Sequence, residues 1–335
     1  DSLHSHCGGA WPGAFKLDLR RLAREIGRCR VGLALSSGGA KGLAHIGVLQ
    51  VLEENGIEVD IVAGTSMGAY IGALWAFGHD GQFIECKARE LEGKWGLVKL
   101  IDPAFPPRRG FIYGRAIRER LERSIGDVRF EQLTRPLRVV ATQFDTLERV
   151  VFSSGQVSHS VLASCAIPSV FVPVQLGGET YIDGGVSDPL PVDVLREAGI
   201  EHVIAVNIIP TSAFLHCARE YEREQVDVKH SRFNFLRLLN RQINYFAYGN
   251  ILDVTQRAVI GGQIRAAEEA CCKADVVLRP LACDSRWHDF SNPSKYISLG
   301  RRVAEENLAD IKQLVNRKEP VHEHQSPHHE LATAA

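Results

Sequence analysis

The sequence predicts an α/β fold with a mainly parallel central sheet. Short apolar runs alternate with amphipathic helical patterns through residues 30–80. Glycine-rich turns join the first two apolar runs to the helices that follow them. The chain has 335 residues, 45% of them hydrophobic and 24% charged, so it is long enough to bury a sizeable core. Strands that alternate with helices in this order form a parallel sheet with right-handed crossovers.

The first elements follow from the spacing of apolar residues. An amphipathic pattern predicts a helix over 16–28, ahead of the first buried strand. Strands are expected at 31–35 and 59–63. Each strand leads into a helix, at 41–55 and 66–77 respectively, and Gly56 is placed to cap the first of these.

The same criteria give the rest of the chain. In chain order we expect helices near 80–93 and 114–125, strands near 137–145 and 149–153, a short helix near 157–165, strands near 171–176 and 180–183, a helix at 192–198, a strand at 203–208, a mainly helical, charged insertion at about 211–270, a strand at 276–278 and a last helix at 298–317.

These elements divide the chain into three parts. Residues 1–29 form a lead-in that contains the amphipathic helix, and residues 30–318 form one domain with the helical insertion inside it. The polar tail at 319–335 is expected to be disordered. It does not predict a metal site, because a histidine-rich tract has no fixed geometry. Its histidines are His322, His324, His328 and His329.

Charge and cysteine content limit the partners and the compartment. The formal net charge is −1 and neither half carries a strongly basic block, so nucleic acid is not an expected partner. The eight cysteines show no regular spacing, which favours a reduced, cytoplasmic protein, although the even count leaves disulfides open. Residues 61–77 carry no charge, but a membrane span is the weaker interpretation because a motif lies inside them.

That motif is Gly64-Thr65-Ser66-Met67-Gly68, between an apolar strand and an apolar helix. It matches a nucleophile elbow, in which a sharp turn lifts a serine hydroxyl clear of the sheet. Both glycines are needed because neighbouring backbone crowds such a turn. The pattern alone is weak, since a glycine-rich turn is common in α/β folds.

A second glycine-rich turn, Ser37-Gly38-Gly39-Ala40-Lys41-Gly42, follows the first strand. It matches neither the nucleotide P-loop nor the dinucleotide fingerprint. The remaining interpretation is an oxyanion hole made by the N–H groups of Gly38 and Gly39. Lys41 is a candidate to steady the loop or to bind a substrate phosphate.

The third candidate is Asp183-Gly184-Gly185, at the end of a predicted strand. Asp-Gly is also common in ordinary tight turns. In the functional interpretation the carboxylate accepts a proton from Ser66. No histidine after Asp183 lies in a recognisable motif, and His45 is expected to have a packing role. The histidines that a Ser–His–Asp triad would draw on are His202, His216, His230 and His288.

Together the three motifs resemble the patatin-like phospholipase family. The family pattern runs Gly-Gly-Gly-x-Lys/Arg-Gly, Gly-x-Ser-x-Gly and Asp-Gly-Gly or Asp-Gly-Ala, and all three occur here in that order. Ser37 replaces the first glycine, and Asp188 stands where the family often has Asn. Flanking resemblance lies at 43–57, 163–174 and 181–199. The lead-in DLRRLAREIG resembles the neuropathy-target-esterase-like branch.

The resemblance implies a patatin-like three-layer α/β/α fold and a serine acyl hydrolase with a Ser66–Asp183 dyad and an acyl-enzyme. It implies fatty-acyl esters of (lyso)phospholipids or related lipids as substrates, and no metal or organic cofactor. The motif glycines Gly42, Gly64, Gly68, Gly184 and Gly185 carry over with it. The lipid head group and the oligomeric state stay open.

Three alternatives remain: a Ser–His–Asp α/β-hydrolase, a non-catalytic lipid-binding scaffold, and a nucleotide-binding protein, which the failed fingerprints disfavour. We expect transient contact with a membrane surface by a cytoplasmic protein. The aromatic and basic residues at 211–250 suggest an interfacial lid, although an amphipathic helix packed on the sheet explains them equally well.

Overall fold

The computed structural model describes residues 13–92, 100–228, 250–283, 285 and 289–316. In these ranges eight strands form one sheet. They are β1 (Val31–Leu35), β2 (Ile61–Thr65), β3 (Leu137–Gln143), β4 (Arg149–Phe152), β5 (Val174–Leu176), β6 (Glu179–Asp183), β7 (His202–Val206) and β8 (Val276–Leu278).

Helices precede and follow the strands. They are α1 (Gly13–Ile26), α2 (Ala44–Glu54), α3 (Met67–Phe77), α4 (Gly81–Arg89), α5 (Arg115–Ile125), α6 (Val157–Ser164), α7 (Val192–Glu197), α8 (Ser212–Val228), α9 (Ile251–Cys271), α10 (Pro293–Glu306) and α11 (Leu308–Val315). The helical insertion is represented by α8 and α9, and most of the suggested lid at 211–250 lies outside the described residues, as does the tail.

The sheet is mixed, with a parallel centre and an antiparallel edge. Its strand order is β5-β6-β3-β2-β1-β7-β8, and β4 pairs with β3 off this path. Strands β3, β2, β1, β7 and β8 run parallel. Strands β4 and β6 run antiparallel to β3, and β5 runs antiparallel to β6. The mainly parallel sheet that the sequence predicts is confirmed.

Two hydrophobic cores lie on opposite faces of this sheet, which gives the three layers. Alternate residues of β1 show it, because Val31, Leu33 and Leu35 belong to the larger core and Ala34 belongs to the smaller one. Helices α2, α3 and α10 supply much of the larger core. Helices α7 and α9 cover the other face.

The structure shifts two predicted strands. Strand β2 begins at Ile61 rather than at residue 59. Just before it, the Asp60 N–H donates to the Val31 oxygen, while the Val31 N–H donates to the Asp60 carboxylate rather than to a backbone oxygen. Strand β5 covers only the end of the predicted run at 171–176, since Phe171 pairs with Ile112 instead.

The last predicted helix also differs. It starts earlier, at Pro293, a residue that suits a first helical turn because it needs no N–H partner there. It also divides into α10 and α11 at Asn307, whose side-chain amide donates to the Val303 oxygen.

The cysteines contradict the expectation of a fully reduced chain. Cys217 in α8 is bonded to Cys283 after β8, and their Cα atoms lie 6.1 Å apart. The two residues are far apart in the sequence, so spacing gave no sign of the pair.

No span crosses a membrane at 61–77, where the chain folds as β2 and α3. Among the helices in the described ranges, none combines the length with the hydropathy that a bilayer crossing requires.

Candidate active site

Ser66 lies at the sharp turn between β2 and α3. Its backbone has φ 54° and ψ −119°, a positive φ that non-glycine residues seldom adopt. Such a conformation costs on the order of 1–3 kcal/mol and persists only where the surroundings impose it. The turn therefore has the strained geometry of a nucleophile elbow.

Gly64 and Gly68 allow the backbone to pass closely at this turn. A Cβ atom on Gly64 would lie 2.6 Å from the Gly68 oxygen. A Cβ atom on Gly68 would lie 2.2 Å from the Leu35 oxygen, in the neighbouring strand β1. Backbone atoms cannot move aside cheaply, so both positions exclude any larger residue.

The register of the sheet brings Asp183 to Ser66. Thr65, at the end of β2, pairs with Val140 of β3, and the next residue of β3, Ala141, pairs with Asp183 of β6. The Ser66 hydroxyl donates to Asp183 Oδ2 at 2.6 Å. The other carboxylate oxygen, Oδ1, accepts the Gly185 N–H at 2.7 Å.

The Asp183 carboxyl is buried, and burial raises its pKa to about 6. The hydrogen bonds from Ser66 and from the Gly185 N–H act in the opposite direction. At neutral pH the carboxylate is therefore mainly ionised but is a stronger base than an exposed aspartate. This is the property that a general base at neutral pH needs.

The glycine-rich loop leaves β1 and enters a 3-10 turn at Gly39–Leu43. The loop is held by His45, whose Nε2 donates to the Ser36 oxygen at 2.9 Å. Burial lowers the pKa of His45 to about 4, so the ring is neutral. The N–H groups of Gly38 and Gly39 make no hydrogen bond with any residue in the described ranges, and Gly39 lines the same cavity as Ser66.

The departures from the family pattern cause no distortion here. Ser37 has no positive φ, and its N–H donates to the Pro189 oxygen. Asp188 accepts a hydrogen bond from Arg149 at 3.2 Å, and its backbone oxygen accepts the Thr65 hydroxyl. Asp188 therefore helps to fasten the strand end beside Ser66.

Lys41 is buried in the 3-10 turn, and burial lowers its pKa to about 8. The described residues that line the cavity around Ser66 do not include it. Of the two roles predicted for Lys41, steadying the loop fits this position better than binding a substrate phosphate.

The remaining motif glycines also lie at close contacts. A Cβ atom on Gly42 would lie 2.3 Å from the Met67 side chain, so the loop packs directly on the residue after Ser66. A Cβ atom on Gly184 would lie 2.2 Å from the Val140 oxygen of β3. Gly185 supplies the N–H that holds Asp183.

Sequence reasoning missed two residues beside Ser66, both at the end of α6. Ser164 accepts the Ser66 N–H at 2.7 Å and donates to the Val140 oxygen at 2.5 Å, so it fixes the elbow to β3. Cys165 lies beside the Ser66 hydroxyl, and burial together with the nearby Asp183 carboxylate raises the pKa of its thiol. The stretch 163–174 was the available signal, because it resembles the family without containing a motif.

Ser66 opens into a cavity of about 570 Å³, a volume within the usual range for ligand sites. The wall is mostly aliphatic and aromatic. It includes Leu43, Ile46, Ile71, Leu74, Ile112 and Phe171. Polar groups interrupt it at Tyr70, Lys87, Arg120 and Gln256. Burial raises the pKa of Tyr70 to about 12, so this phenol stays neutral.

No histidine in the described ranges contacts Ser66 or Asp183. His202 begins β7 and His216 lies on α8. His230 and His288 lie outside the described residues. The same ranges contain no group of three or more side chains that could hold a metal ion.

The family model for patatin-like phospholipases matches residues 33–196. An uncharacterized NTE family protein of Mycobacterium tuberculosis is 37% identical over 179 residues, which are 53% of this chain and 49% of that protein. Lysophospholipase NTE1 of Candida albicans is 27% identical over 304 residues, 89% of this chain and 21% of that protein. Neuropathy target esterase sws of Drosophila melanogaster is 34% identical over 196 residues, 57% of this chain and 14% of that protein.

The fold and these matches define a patatin-type α/β protein with a serine at a nucleophile elbow. The chain therefore contains a patatin-like phospholipase domain, matched at residues 33–196. Its similarity to NTE proteins agrees with the branch that the lead-in helix suggests. The chain spans about half the length of the mycobacterial relatives that it matches.

Proposed function

We propose that this protein is a serine acyl hydrolase that cleaves fatty-acyl esters of (lyso)phospholipids or related lipids. One observation carries the proposal. The Ser66 hydroxyl donates directly to the buried Asp183 carboxylate at 2.6 Å, at the wall of an apolar cavity. A serine, a base of raised pKa and an apolar cavity are the parts that hydrolysis of a lipid ester requires.

In the proposed reaction the ester carbonyl lies over Ser66. Asp183 Oδ2 accepts the hydroxyl proton while Ser66 Oγ attacks the carbonyl carbon, and the departing alcohol takes that proton from Asp183. An acyl-enzyme remains. Water then gives a proton to Asp183 as its oxygen attacks the acyl carbon. Asp183 passes that proton to Ser66 Oγ as the bond from Oγ to the acyl carbon breaks, which releases the fatty acid and restores Ser66.

Charge on the carbonyl oxygen is stabilised by the glycine-rich loop. The N–H groups of Gly38 and Gly39 have no described protein partner, and Gly39 lines the cavity beside Ser66. The Ser66 N–H does not serve, because it donates to Ser164. Loss of one oxyanion donor typically costs about 3–4 kcal/mol of transition-state stabilisation.

The shape and composition of the cavity favour a long acyl chain. Its aliphatic wall begins at the nucleophile, so a chain inside it leaves the ester at Ser66 and the head group outside. Two of the similar proteins carry the names lysophospholipase and neuropathy target esterase, which agrees with an ester of this type. The proposal leaves the head group open.

The two other interpretations have less support. A Ser–His–Asp triad needs a histidine on the serine, but the Ser66 hydroxyl already donates to Asp183. A non-catalytic scaffold has no need for a serine in a costly conformation beside a base of raised pKa. We also propose that the protein meets its lipid at a membrane surface, as a cytoplasmic protein.

The test is hydrolysis of a soluble p-nitrophenyl acyl ester, combined with fluorophosphonate labelling and mass spectrometry. We expect the label on Ser66. Ser66→Ala should lower turnover at least about a thousandfold because the nucleophile is lost. Asp183→Asn should lower it by about a hundredfold to ten-thousandfold, because an amide cannot accept the proton.

Ser160→Ala is the matched control. Ser160 is a buried serine on α6 whose hydroxyl donates only to the Gln156 oxygen, so this variant should keep its activity and its label. Near wild-type turnover in folded Ser66→Ala or Asp183→Asn protein would reject the dyad. A histidine substitution that abolishes labelling would support the triad instead.

A further inference from the structure

A hairpin beside the cavity exposes an aromatic and basic tip. Pro103 and Ile112 form an antiparallel bridge, and the Ala104 N–H donates to the Phe111 oxygen. We call residues 103–112 the aromatic hairpin. Its tip includes Phe105, which is 88% exposed, and the exposed Arg108 and Arg109. An aromatic side chain so fully in water is unusual, because Phe is among the residues most often buried.

The hairpin is fixed to the protein. The N–H groups of Phe111 and Ile112 both donate to the Val170 oxygen, and the Val172 N–H donates to the Ile112 oxygen. A Cβ atom on Gly110 would lie 2.5 Å from the backbone of Phe171, which shows how closely the two segments pack. The tip is therefore presented by a braced element, and exposing Phe105 is a property of the fold.

The base of the hairpin is also part of the cavity wall. Ile112 lines the cavity, as do Val170 and Phe171, which brace it. Ile101, just before the hairpin, lines the cavity and is 43% exposed, so it lies where the cavity meets solvent. One short segment therefore faces the lipid site on one side and carries the exposed Phe105 on the other.

All charged residues of the hairpin and the three residues after it are positive. Residues 103–115 contain Arg108, Arg109 and Arg115 but no acidic residue, although the whole chain has a net charge of −1. The preceding acid, Asp102, is used internally, since its carboxylate oxygens accept the N–H groups of Gly114 and Arg115 at 2.8 Å. Within the described residues no acidic side chain pairs with Arg108 or Arg109.

We infer that the aromatic hairpin docks the protein on an anionic lipid bilayer, with Phe105 inserted among the head groups and Arg108 and Arg109 against lipid phosphates. Arginine next to an exposed aromatic suits such an interface, because the ring enters the head-group region while the cations meet its negative surface potential. The cavity entrance at Ile101 then faces the bilayer, and an acyl chain reaches Ser66 without crossing water. The inference rests on the proposed function, since only a site that consumes lipid needs a bilayer at its entrance.

Vesicle sedimentation tests the surface separately from catalysis. Vesicles contain phosphatidylcholine alone or with 30 mol% phosphatidylserine, and the full chain is used. We expect tighter binding to the anionic vesicles, weakened by salt. The double variant Arg108→Gln/Arg109→Gln should bind anionic vesicles about tenfold to thirtyfold more weakly, and Phe105→Ser about tenfold more weakly on both compositions.

The matched control is Phe144→Ser/Arg302→Gln, which makes the same kinds of change elsewhere. Phe144 is 48% exposed and follows β3, and Arg302 is exposed on α10. This control should bind vesicles like wild type. Hydrolysis of a soluble ester should stay within twofold for every one of these variants, since none of the five substituted side chains lines the cavity.

The outcomes separate the two proposals. Wild-type vesicle binding by the hairpin variants, or no vesicle binding by wild type, overturns the docking surface even where soluble ester is hydrolysed. Loss of binding in the hairpin variants alone supports the surface, even if Ser66 takes no label. Equal losses in the hairpin and control variants would show that general surface charge and hydrophobicity are responsible, and would overturn the specific assignment.

Discussion

In the proposed mechanism, the Asp183 carboxyl sets the pH range in which Ser66 can be activated. Burial raises its pKa to about 6, and only the ionised form accepts a proton. We expect kcat/KM for a soluble ester to be half-maximal near pH 6 and to fall about tenfold for each pH unit below it. An exposed aspartate would place that midpoint near pH 4. A profile that stays flat down to pH 4.5 would contradict Asp183 as the base.

Protonation of Asp183 is not expected to unfold the protein as the pH falls from 7 to 5. The pKa of Asp183 is higher in the folded state than in the unfolded state, so the folded protein binds this proton more tightly. The resulting contribution to stability is present in acid and is lost as pH rises through about 6. Acidification from pH 7 to 5 therefore favours folding at Asp183, and circular dichroism at pH 5 provides the control.

At the scale of single residues, the sequence predicted those site residues that lie inside a short motif. Ser66, Asp183 and the loop glycines follow from short patterns because a sharp turn restricts which residues it accepts. Ser164 and Cys165 could not be predicted in this way. Their positions depend on how the end of α6 lies over β3, and that packing has no local pattern in the sequence.

At the scale of elements, the spacing of apolar residues predicted the positions of individual helices and strands. Strand β1 matches the predicted strand at 31–35 residue for residue, and α3 matches the predicted helix at 66–77 except at residue 66. The antiparallel edge was not predicted, since strand direction follows from pairing partners that lie far apart in the chain. The aromatic hairpin was missed for a different reason: its proline-rich run resembles a loop.

The crossing of α2 and α10 depends on two glycines. A Cβ atom on Gly47 would lie 2.0 Å from the Ile297 oxygen, and one on Gly300 would lie 1.9 Å from the Ala44 oxygen. Both obstacles are backbone, so an added methyl group forces the helices apart. We expect Gly300→Ala to lower the free energy of unfolding by about 3 kcal/mol, the upper end for overpacking. Urea denaturation measures this.

Gly261→Ala is the matched control for that prediction. Gly261 lies in α9 with no heavy atom within 4 Å of the position that its Cβ would take. Since alanine forms helix better than glycine, this variant should gain about 0.5–1 kcal/mol. If Gly300→Ala were equally harmless, the close crossing of α2 and α10 would be wrong.

At the scale of the whole molecule, the sheet brings together three distant parts of the chain. Ser66 follows β2, Asp183 ends β6 and the glycine-rich loop follows β1, while the aromatic hairpin is braced against the segment after α6. The sequence predicted the first three because each has its own motif. It did not predict where the cavity opens, since that depends on which loops meet around it.

The compartment is a property of the whole molecule on which two observations disagree. The spacing of the cysteines predicts a reduced, cytoplasmic chain, whereas the structure joins Cys217 to Cys283. Cytoplasmic proteins rarely keep such a bond, because thioredoxin and glutathione reduce it. The bond would link α8 to the segment after β8 across a sequence separation of 66 residues.

Peptide mapping of unreduced protein decides between a reduced chain and the Cys217–Cys283 disulfide. If the bond forms, we expect one cross-linked peptide pair containing Cys217 and Cys283 that disappears on reduction. Cys217→Ser should then lower the free energy of unfolding by about 4 kcal/mol, because a loop of this length loses its closure. Cys86→Ser, which changes an exposed free cysteine, should have little effect. If both cysteines are found as free thiols, and Cys217→Ser and Cys86→Ser are equally stable, the bond is rejected. That result would favour a cytoplasmic protein, because the fold would then be stable without an oxidising environment.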